Sequence, residues 1–115
     1  MSETTYIIDL TPDGQNRYRH RHLIEKKRII EFRLQYEAYL DGEWHAIARY
    51  DTAHGFAHCD IMHPDGTGTK TAFQHWNYEH VLIYGERDLK QNWAAYRQKY
   101  VSELGRMKRR KRGRP

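Results

Sequence analysis

The sequence predicts an α+β fold: an antiparallel sheet of about four to five strands, arranged as a meander and packed by a C-terminal helix. Residues 28–40 alternate apolar and polar side chains, as in a strand with one buried face, and the turn signal Asp41-Gly42 follows directly. After Asn77 the apolar spacing changes to steps of three, four and seven residues. That spacing is typical of one side of a helix.

The first half of the chain supplies three of the predicted strands. Thr5–Leu10 is a short apolar run, and the turn residues Pro12 and Gly14 come soon after it. Tyr18–Ile24 alternates less regularly. In Arg28–Leu40 the buried parity is expected to hold Ile30, Phe32, Leu34, Tyr36, Ala38 and Leu40.

Two further hairpins continue the meander. Glu43–Asp51 follows the Asp41-Gly42 turn, and Phe56–His63 ends at a Pro-Asp-Gly turn. Thr67–Phe73 is expected to return as a short strand rich in threonine.

The helix is predicted to begin after Asn77, a suitable N-cap, and to end just before Gly105, with Gly85 as the point where it bends or divides. At helical spacing, the aromatic residues on its apolar side are expected to pack in the core rather than to stack on bases. Its apolar side is expected to hold Leu82, Leu89, Trp93, Tyr96, Tyr100 and Leu104.

The basic charge is concentrated at the C-terminal end. The chain has 20 Lys and Arg against 15 Asp and Glu, a formal net charge of +5, and seven of the basic residues lie in residues 106–115. Residues 1–105 then hold 13 basic and 15 acidic residues, a net charge of −2. We expect one α+β domain over residues 1–105 and a disordered basic tail over residues 106–115.

Clustered cations favour a polyanion as partner, because Lys and Arg neutralise phosphates and release counterions. We therefore expect nucleic acid to be bound, RNA rather than DNA, with an acidic protein partner or a merely solubilising tail as alternatives. The residues predicted to contact nucleic acid are Arg17, Arg19, Arg21, Lys26, Lys27, Arg28, Arg106, Lys108, Arg109, Arg110, Lys111, Arg112 and Arg114.

Length and composition restrict the class of protein. At 115 residues the chain has room for one domain, and it has no apolar run of membrane-spanning length. One cysteine excludes an internal disulfide. We expect a cytoplasmic protein with no membrane partner; the sequence does not indicate its oligomeric state.

The densest group of reactive side chains lies between two predicted strands. Arg49 and Asp51 share a face on one strand, as do His58 and Asp60 on the next, and His54 lies in the turn between them. A carboxylate beside an imidazole suits general acid–base chemistry, and a cation nearby would hold a phosphate. The same pairs are equally well explained as ion pairs and hydrogen bonds that fix the hairpin.

A metal site is a further alternative for this segment. His54, His58, Asp60 and His63 offer nitrogen and oxygen ligands, and Cys59 a sulfur, but no CxxC or HExxH spacing accompanies them. We therefore predict no metal and no cofactor. The chain also has no nucleotide-binding or serine-hydrolase motif.

The segment RYDTAHGFAHCDIMHPDG, with LDGEW before it and DLKQNWAAYRQKY after it, resembles a family of small prokaryotic proteins of unknown function. Through Tyr50, Asp51, Gly55 and His58 it is also remotely similar to the TumE-type toxins of toxin–antitoxin pairs. Those toxins have adjacent basic residues after the histidine, where this chain has Cys59-Asp60. The resemblance implies a small toxin-like α+β domain with an antitoxin protein as partner.

The leading hypothesis is therefore a nucleic-acid-targeting, toxin-like protein that acts as a metal-independent ribonuclease. His58 would be the general acid–base and Asp60 its orienting partner, with His54 as the second acid–base and Arg49 on the phosphate. The alternative is a non-catalytic RNA- or DNA-binding accessory protein anchored by its basic tail. A protein-interaction module, in which the tail binds an acidic partner, is the third reading.

Overall fold

The computed structural model describes residues 1–113, which form a six-stranded antiparallel sheet and one long helix. The predicted α+β meander is confirmed. Its sheet has six strands, whereas about four to five were expected. The elements are β1 (Ser2–Asp9), β2 (Asn16–Glu25), β3 (Arg28–Leu40), β4 (Glu43–Asp51), β5 (Ala57–Met62), β6 (Gly68–Phe73) and α1 (Tyr78–Arg112). Strand order in the sheet equals chain order, so every strand pairs with its sequence neighbours.

The central strand β3 follows its predicted pattern, with a shift at one end. Phe32, Leu34 and Tyr36 are buried on the expected face. Ile30, predicted to be buried, is 38% exposed. Register with β2 shifts there, since Leu23 lies opposite Glu31 and Ile24 opposite Ile29, and the extra residue of this bulge turns Ile30 outward.

The helix α1 covers one face of the sheet and closes the core. Its buried residues include Val81 and Leu89, which pack with Phe32 and Leu34 of β3. Gly85 does not divide the helix as expected; it is buried against the ring of Tyr50, and a Cβ there would lie 2.7 Å from the ring carbon Cγ. The missing side chain therefore lets the helix approach β4 closely.

The start of α1 agrees with the prediction, but its end does not. Asn77 caps the helix, because its side chain accepts a hydrogen bond from Glu79 N at 2.7 Å. Instead of ending at Gly105, α1 continues to Arg112. The expected disordered tail is therefore wrong for residues 106–112, and the expected boundary at residue 105 lies inside the helix.

Helix propagation explains why α1 continues past Gly105. Once packing has formed the first turns, each added residue gains a hydrogen bond at low entropic cost, and cations are favoured at the carboxyl end of a helix. Lys108 is also ion-paired with Asp41 of the β3–β4 turn. Arg114, also assigned to the predicted tail, lies outside the described residues.

The second face of the sheet is open, since α1 packs on the other face through β3, β4 and β5. Residues 1–113 contain no helix that is both long and apolar enough to cross a membrane.

Candidate functional site

Four of the predicted reactive residues share the open face of the sheet with the arginines of β2. Strand register arranges this face in two rows that run across all six strands. One row consists of Ile7, Arg19, Gln35, Arg49, Asp60 and Lys70; the other consists of Thr5, Arg21, Arg33, Asp51, His58 and Ala72.

The two pairs that the sequence places on separate strands meet across β4 and β5. Arg49 lies opposite Asp60, and Asp51 lies opposite His58. Four of the five predicted catalytic residues therefore come together in the structure. Antiparallel pairing explains this, because residues of one parity on adjacent strands share a face.

His58 makes its shortest contact with Asp51. Its Nε2 lies 2.8 Å from Asp51 Oδ1 and 3.3 Å from Asp60 Oδ2, so Asp51 rather than Asp60 is the closer partner. On the other side of the ring, Nδ1 lies 3.3 Å from the carbonyl oxygen of Phe56. The His58 side chain is only 2% exposed. A solute can therefore reach the ring only if the residues that cover it move.

Asp51 is held by the turn that follows β4. Its Oδ1 accepts a hydrogen bond from Ala53 N at 3.1 Å, and its Oδ2 lies 3.5 Å from a guanidinium nitrogen of Arg33. Thr52 fixes the strand end, because its hydroxyl accepts a hydrogen bond from Phe32 N at 3.1 Å. A carboxylate with these partners is oriented toward His58.

His54 stands apart from the other four. It lies in a short 3-10 turn, Ala53–Gly55, with a left-handed φ of 71°, and its side chain is exposed. The ring centroids of His54 and His58 are 6.2 Å apart. His54 is therefore near the site but makes no hydrogen bond to it among the described residues.

The residues that could hold a metal ion differ in part from those that the sequence suggested. Asp51, His58 and Asp60 offer three ligand atoms within 4.8 Å of one another, a donor set that suits a divalent cation. Each carboxylate already has a cation nearby, Arg33 for Asp51 and Lys70 at 4.0 Å for Asp60.

Besides His54, two of the candidate ligands lie outside this cluster. His63 Nδ1 lies 2.9 Å from Glu103 Oε2, which links the β5–β6 hairpin to α1. Cys59 is buried on the helix-covered side, and burial is the main cause that raises the pKa of its thiol to about 12.

A depression on the open face brings together Arg19, Arg21, Arg33 and Arg49 around Gln35. We call it the arginine depression; it has a volume of about 680 Å³. Arg33 was not predicted from the sequence as a site residue. The alternation of β3 predicts that Arg33 lies on the solvent-facing side of the strand. The pattern of β3 alone does not predict which residues of β2 and β4 lie opposite Arg33.

The arginines of β2 already have acidic or aromatic partners. Arg17 Nε donates to Glu37 Oε1 at 2.6 Å, and its guanidinium lies 3.6 Å from the ring centroid of Trp44. Arg21 pairs with Glu31 at 2.8 Å and with Glu3 at 3.2 Å.

The remaining predicted contacts of the first basic cluster lie outside the depression. Lys26 and Lys27 form the β2–β3 turn with left-handed φ values of 50° and 66°, and Arg28 begins β3; all three are exposed.

The basic end of α1, which we define as residues 106–112, is the second basic surface. Its six cations, Arg106, Lys108, Arg109, Arg110, Lys111 and Arg112, are all exposed. Among the described residues, the single carboxylate in an ion pair with any of them is Asp41, which pairs with Lys108. This surface is therefore strongly positive.

Comparison with known proteins identifies a family without an assigned activity. The model of the Domain of unknown function (DUF7718) matches residues 1–106, and the chain belongs to this family. No curated protein and no solved structure matches the chain.

Proposed function

We propose that this DUF7718 protein binds nucleic acid, preferring RNA, and that the basic end of α1 is its main contact. The observation that supports this proposal is a group of six exposed cations with one ion-paired carboxylate among the described residues. Such a group neutralises phosphates without reading bases, so binding is expected to be salt-dependent and weakly selective for sequence.

The helical form of this segment strengthens the proposal. Residues three and four apart share a side of a helix, so Arg106, Arg109 and Arg110 lie on one side. Lys108, Lys111 and Arg112 lie on another. The cations are held in a fixed array, which reduces the ordering entropy that a disordered tail would lose on binding.

The test is fluorescence anisotropy with a labelled RNA at several salt concentrations. Replacing two cations in Arg109→Gln/Arg110→Gln should lower the slope of log affinity against log salt by about 2. The matched control is Arg87→Gln/Lys99→Gln, which removes two exposed cations from the earlier part of the same helix.

Three results would contradict the proposal. One is a binding constant that does not change with salt, and another is an equal loss in the two double variants. The third is binding of an acidic protein fragment with no binding of RNA, since the basic end would then serve a protein partner.

A metal-independent ribonuclease of a toxin–antitoxin pair is the second candidate. It is favoured by the 2.8 Å contact of His58 with Asp51 beside Arg33 and Arg49, and by the remote similarity to TumE-type toxins. In this reaction one group would take the proton of the ribose 2′-hydroxyl while a second protonates the leaving 5′-oxygen. Because His58 is buried, the 53–56 turn would have to move before RNA reached the ring.

Replacement of His58 tests this candidate. His58→Asn should abolish RNA cleavage and growth inhibition while circular dichroism reports an unchanged fold. His54→Asn tests the second acid–base role, and Lys99→Asn serves as an exposed control. Cleavage by His58→Asn at the wild-type rate would exclude His58 as the acid–base group.

A further inference from the structure

We propose that the arginine depression binds a phosphate group of a single-stranded nucleic acid. This inference rests on the proposed function, because it assigns the form of nucleic acid that the open face receives. It concerns binding alone and is independent of whether the chain cleaves RNA.

Strand register places the cations around one point. Arg19 of β2 and Arg49 of β4 lie directly opposite Gln35 of β3, one on each side of it. Arg33 is two residues along β3 on the same face, and Arg21 lies opposite it. Guanidinium groups from three strands therefore approach one depression of about 680 Å³.

The carboxylates nearest to Arg19 and Arg33 are buried, whereas Arg21 is paired with the exposed carboxylates of Glu3 and Glu31. The side chains of Glu37 and Asp51 are 8% and 6% exposed, whereas those of Arg19 and Arg33 are 52% and 55% exposed. The corresponding N–O distances are 3.8 Å for Arg19–Glu37 and 3.5 Å for Arg33–Asp51. These distances exceed those of charge-assisted hydrogen bonds, so among the described residues no carboxylate occupies the N–H groups of Arg19 and Arg33, which can bind an anion from solvent.

Arg49 is the least compensated cation of the four. Its Nε donates to the amide oxygen of Gln35 at 2.7 Å, and no carboxylate oxygen of the described residues lies within 4.0 Å of its nitrogens. Burial lowers the pKa of its guanidinium and the charge of Arg33 lowers it further, whereas the more distant carboxylates of Asp51, Asp60 and Glu37 oppose this shift. A phosphate would supply the direct anionic partner that Arg49 lacks among the described residues.

The depth of Arg49 favours a single strand. Arg49 is half-buried, so a phosphate must enter the depression to contact it. A flexible single strand can bend inward, whereas a duplex is stiff over about 150 base pairs and would meet the exposed Arg19 and Arg33 first. Ile7, 53% exposed in the same row, offers an apolar contact for a base.

The test compares a 12-nucleotide oligouridine with a 12-base-pair RNA duplex, using the full chain. Arg33→Gln and Arg49→Gln should each weaken single-strand binding about tenfold, the effect of losing a charged hydrogen bond. Duplex binding should change less than about twofold, since it depends on the basic end of α1. Arg87→Gln is the control, and an oligothymidine arm separates RNA from DNA.

A second measurement does not depend on nucleic acid. Inorganic phosphate titrated into ¹⁵N-arginine-labelled protein should shift the Nε–Hε resonances of Arg33 and Arg49 and leave that of Arg87 in place. Arg49→Lys, which keeps the charge, covers the case in which Arg49→Gln does not fold. Because the charge remains, Arg49→Lys should retain part of the phosphate binding of the wild type.

The outcomes separate this inference from the proposed function. If RNA binds but Arg33→Gln and Arg49→Gln lose single-strand and duplex affinity equally, or lose none, the depression is not a single-strand site and the proposed function stands. If phosphate shifts Arg33 and Arg49 but no nucleic acid binds, the anion site stands and the proposed function fails. Unshifted resonances at millimolar phosphate overturn the inference directly.

Discussion

Gly85 shows how one missing side chain sets the distance between α1 and β4. A methyl group at this position would lie 2.7 Å from Cγ of Tyr50 and 3.0 Å from two further ring carbons. Tyr50 cannot easily move away, because it is buried and its hydroxyl donates to Asp88 Oδ2 at 2.7 Å. The helix and the strand would therefore have to separate.

Gly85→Ala should lower the free energy of unfolding by about 1–3 kcal/mol, because overpacking outweighs the better helix propensity of alanine. Gly105→Ala is the matched control in the same helix. Its added carbon meets only a side-chain nitrogen of Arg109, at 3.5 Å, so this variant should gain about 0.5–1 kcal/mol. Urea denaturation measures both; a Gly85→Ala variant as stable as Gly105→Ala would contradict the close approach.

At the scale of elements, His20 of β2 lies at the contact with α1, where its Nδ1 is 3.8 Å from Glu86 Oε2. His20 is buried, and its Nδ1 lies 2.7 Å from the hydroxyl oxygen of Tyr18, while its Nε2 lies 2.6 Å from Nδ1 of His22. Burial is the main cause that lowers the pKa of His20, and His22 lowers it further. Glu86 of α1 opposes this shift, and Lys90 adds to it.

Stability should therefore fall as pH decreases below about 6.5, the ordinary pKa of histidine. The unfolded chain binds a proton at His20 that the folded chain resists, so the stabilisation is present above that pH and is lost toward the lower folded pKa. His20→Gln should flatten the dependence of the free energy of unfolding on pH between 5 and 7, relative to the exposed control His80→Gln. An unchanged slope in His20→Gln would assign the dependence to other groups.

The strands show which features a single sequence can predict. Arg28–Leu40 and Glu43–Asp51 match β3 and β4 at both ends, because a period-two pattern and a two-residue turn fix a hairpin locally. The bulges at Ile30 and Ile47 were not predicted, since an extra residue is visible only against the partner strand.

The same limit applies to the site. The shared faces of Arg49 with Asp51 and of His58 with Asp60 follow from parity, but Arg33 becomes a site residue only when β2 and β4 lie beside β3. The order of contacts was also not predictable, because Asp51 is closer to His58 than Asp60 is. The functional roles of these residues stay predictions.

At the scale of the whole molecule, the extension of α1 makes the protein long. Its Cα radius of gyration is 15.8 Å, and its longest dimension is 60 Å. A compact chain of this size would have a radius of gyration of about 13 Å. Positive charge is concentrated at one end of α1, because the basic end forms the last turns of this 35-residue helix.

Deleting residues 106–115 should shorten the maximum dimension in small-angle X-ray scattering by about 10 Å, the length of the last two turns. The sheet should remain folded, since Lys108–Asp41 is the one hydrogen-bonded ion pair that joins this segment to the strands and their turns among the described residues. Circular dichroism of the deletion variant and of Asp41→Asn provides the controls. An unchanged maximum dimension would mean that the basic end does not extend from the body in solution.

The sequential order of the meander has a consequence for synthesis on the ribosome. Each hairpin can form as its second strand emerges, because no strand waits for a distant partner. The helix that covers Phe32, Leu34 and Tyr36 is made after all six strands. A nascent chain therefore carries a nearly complete sheet with a bare apolar face until residues near Leu89 leave the exit tunnel, and chaperone demand should be greatest during that interval.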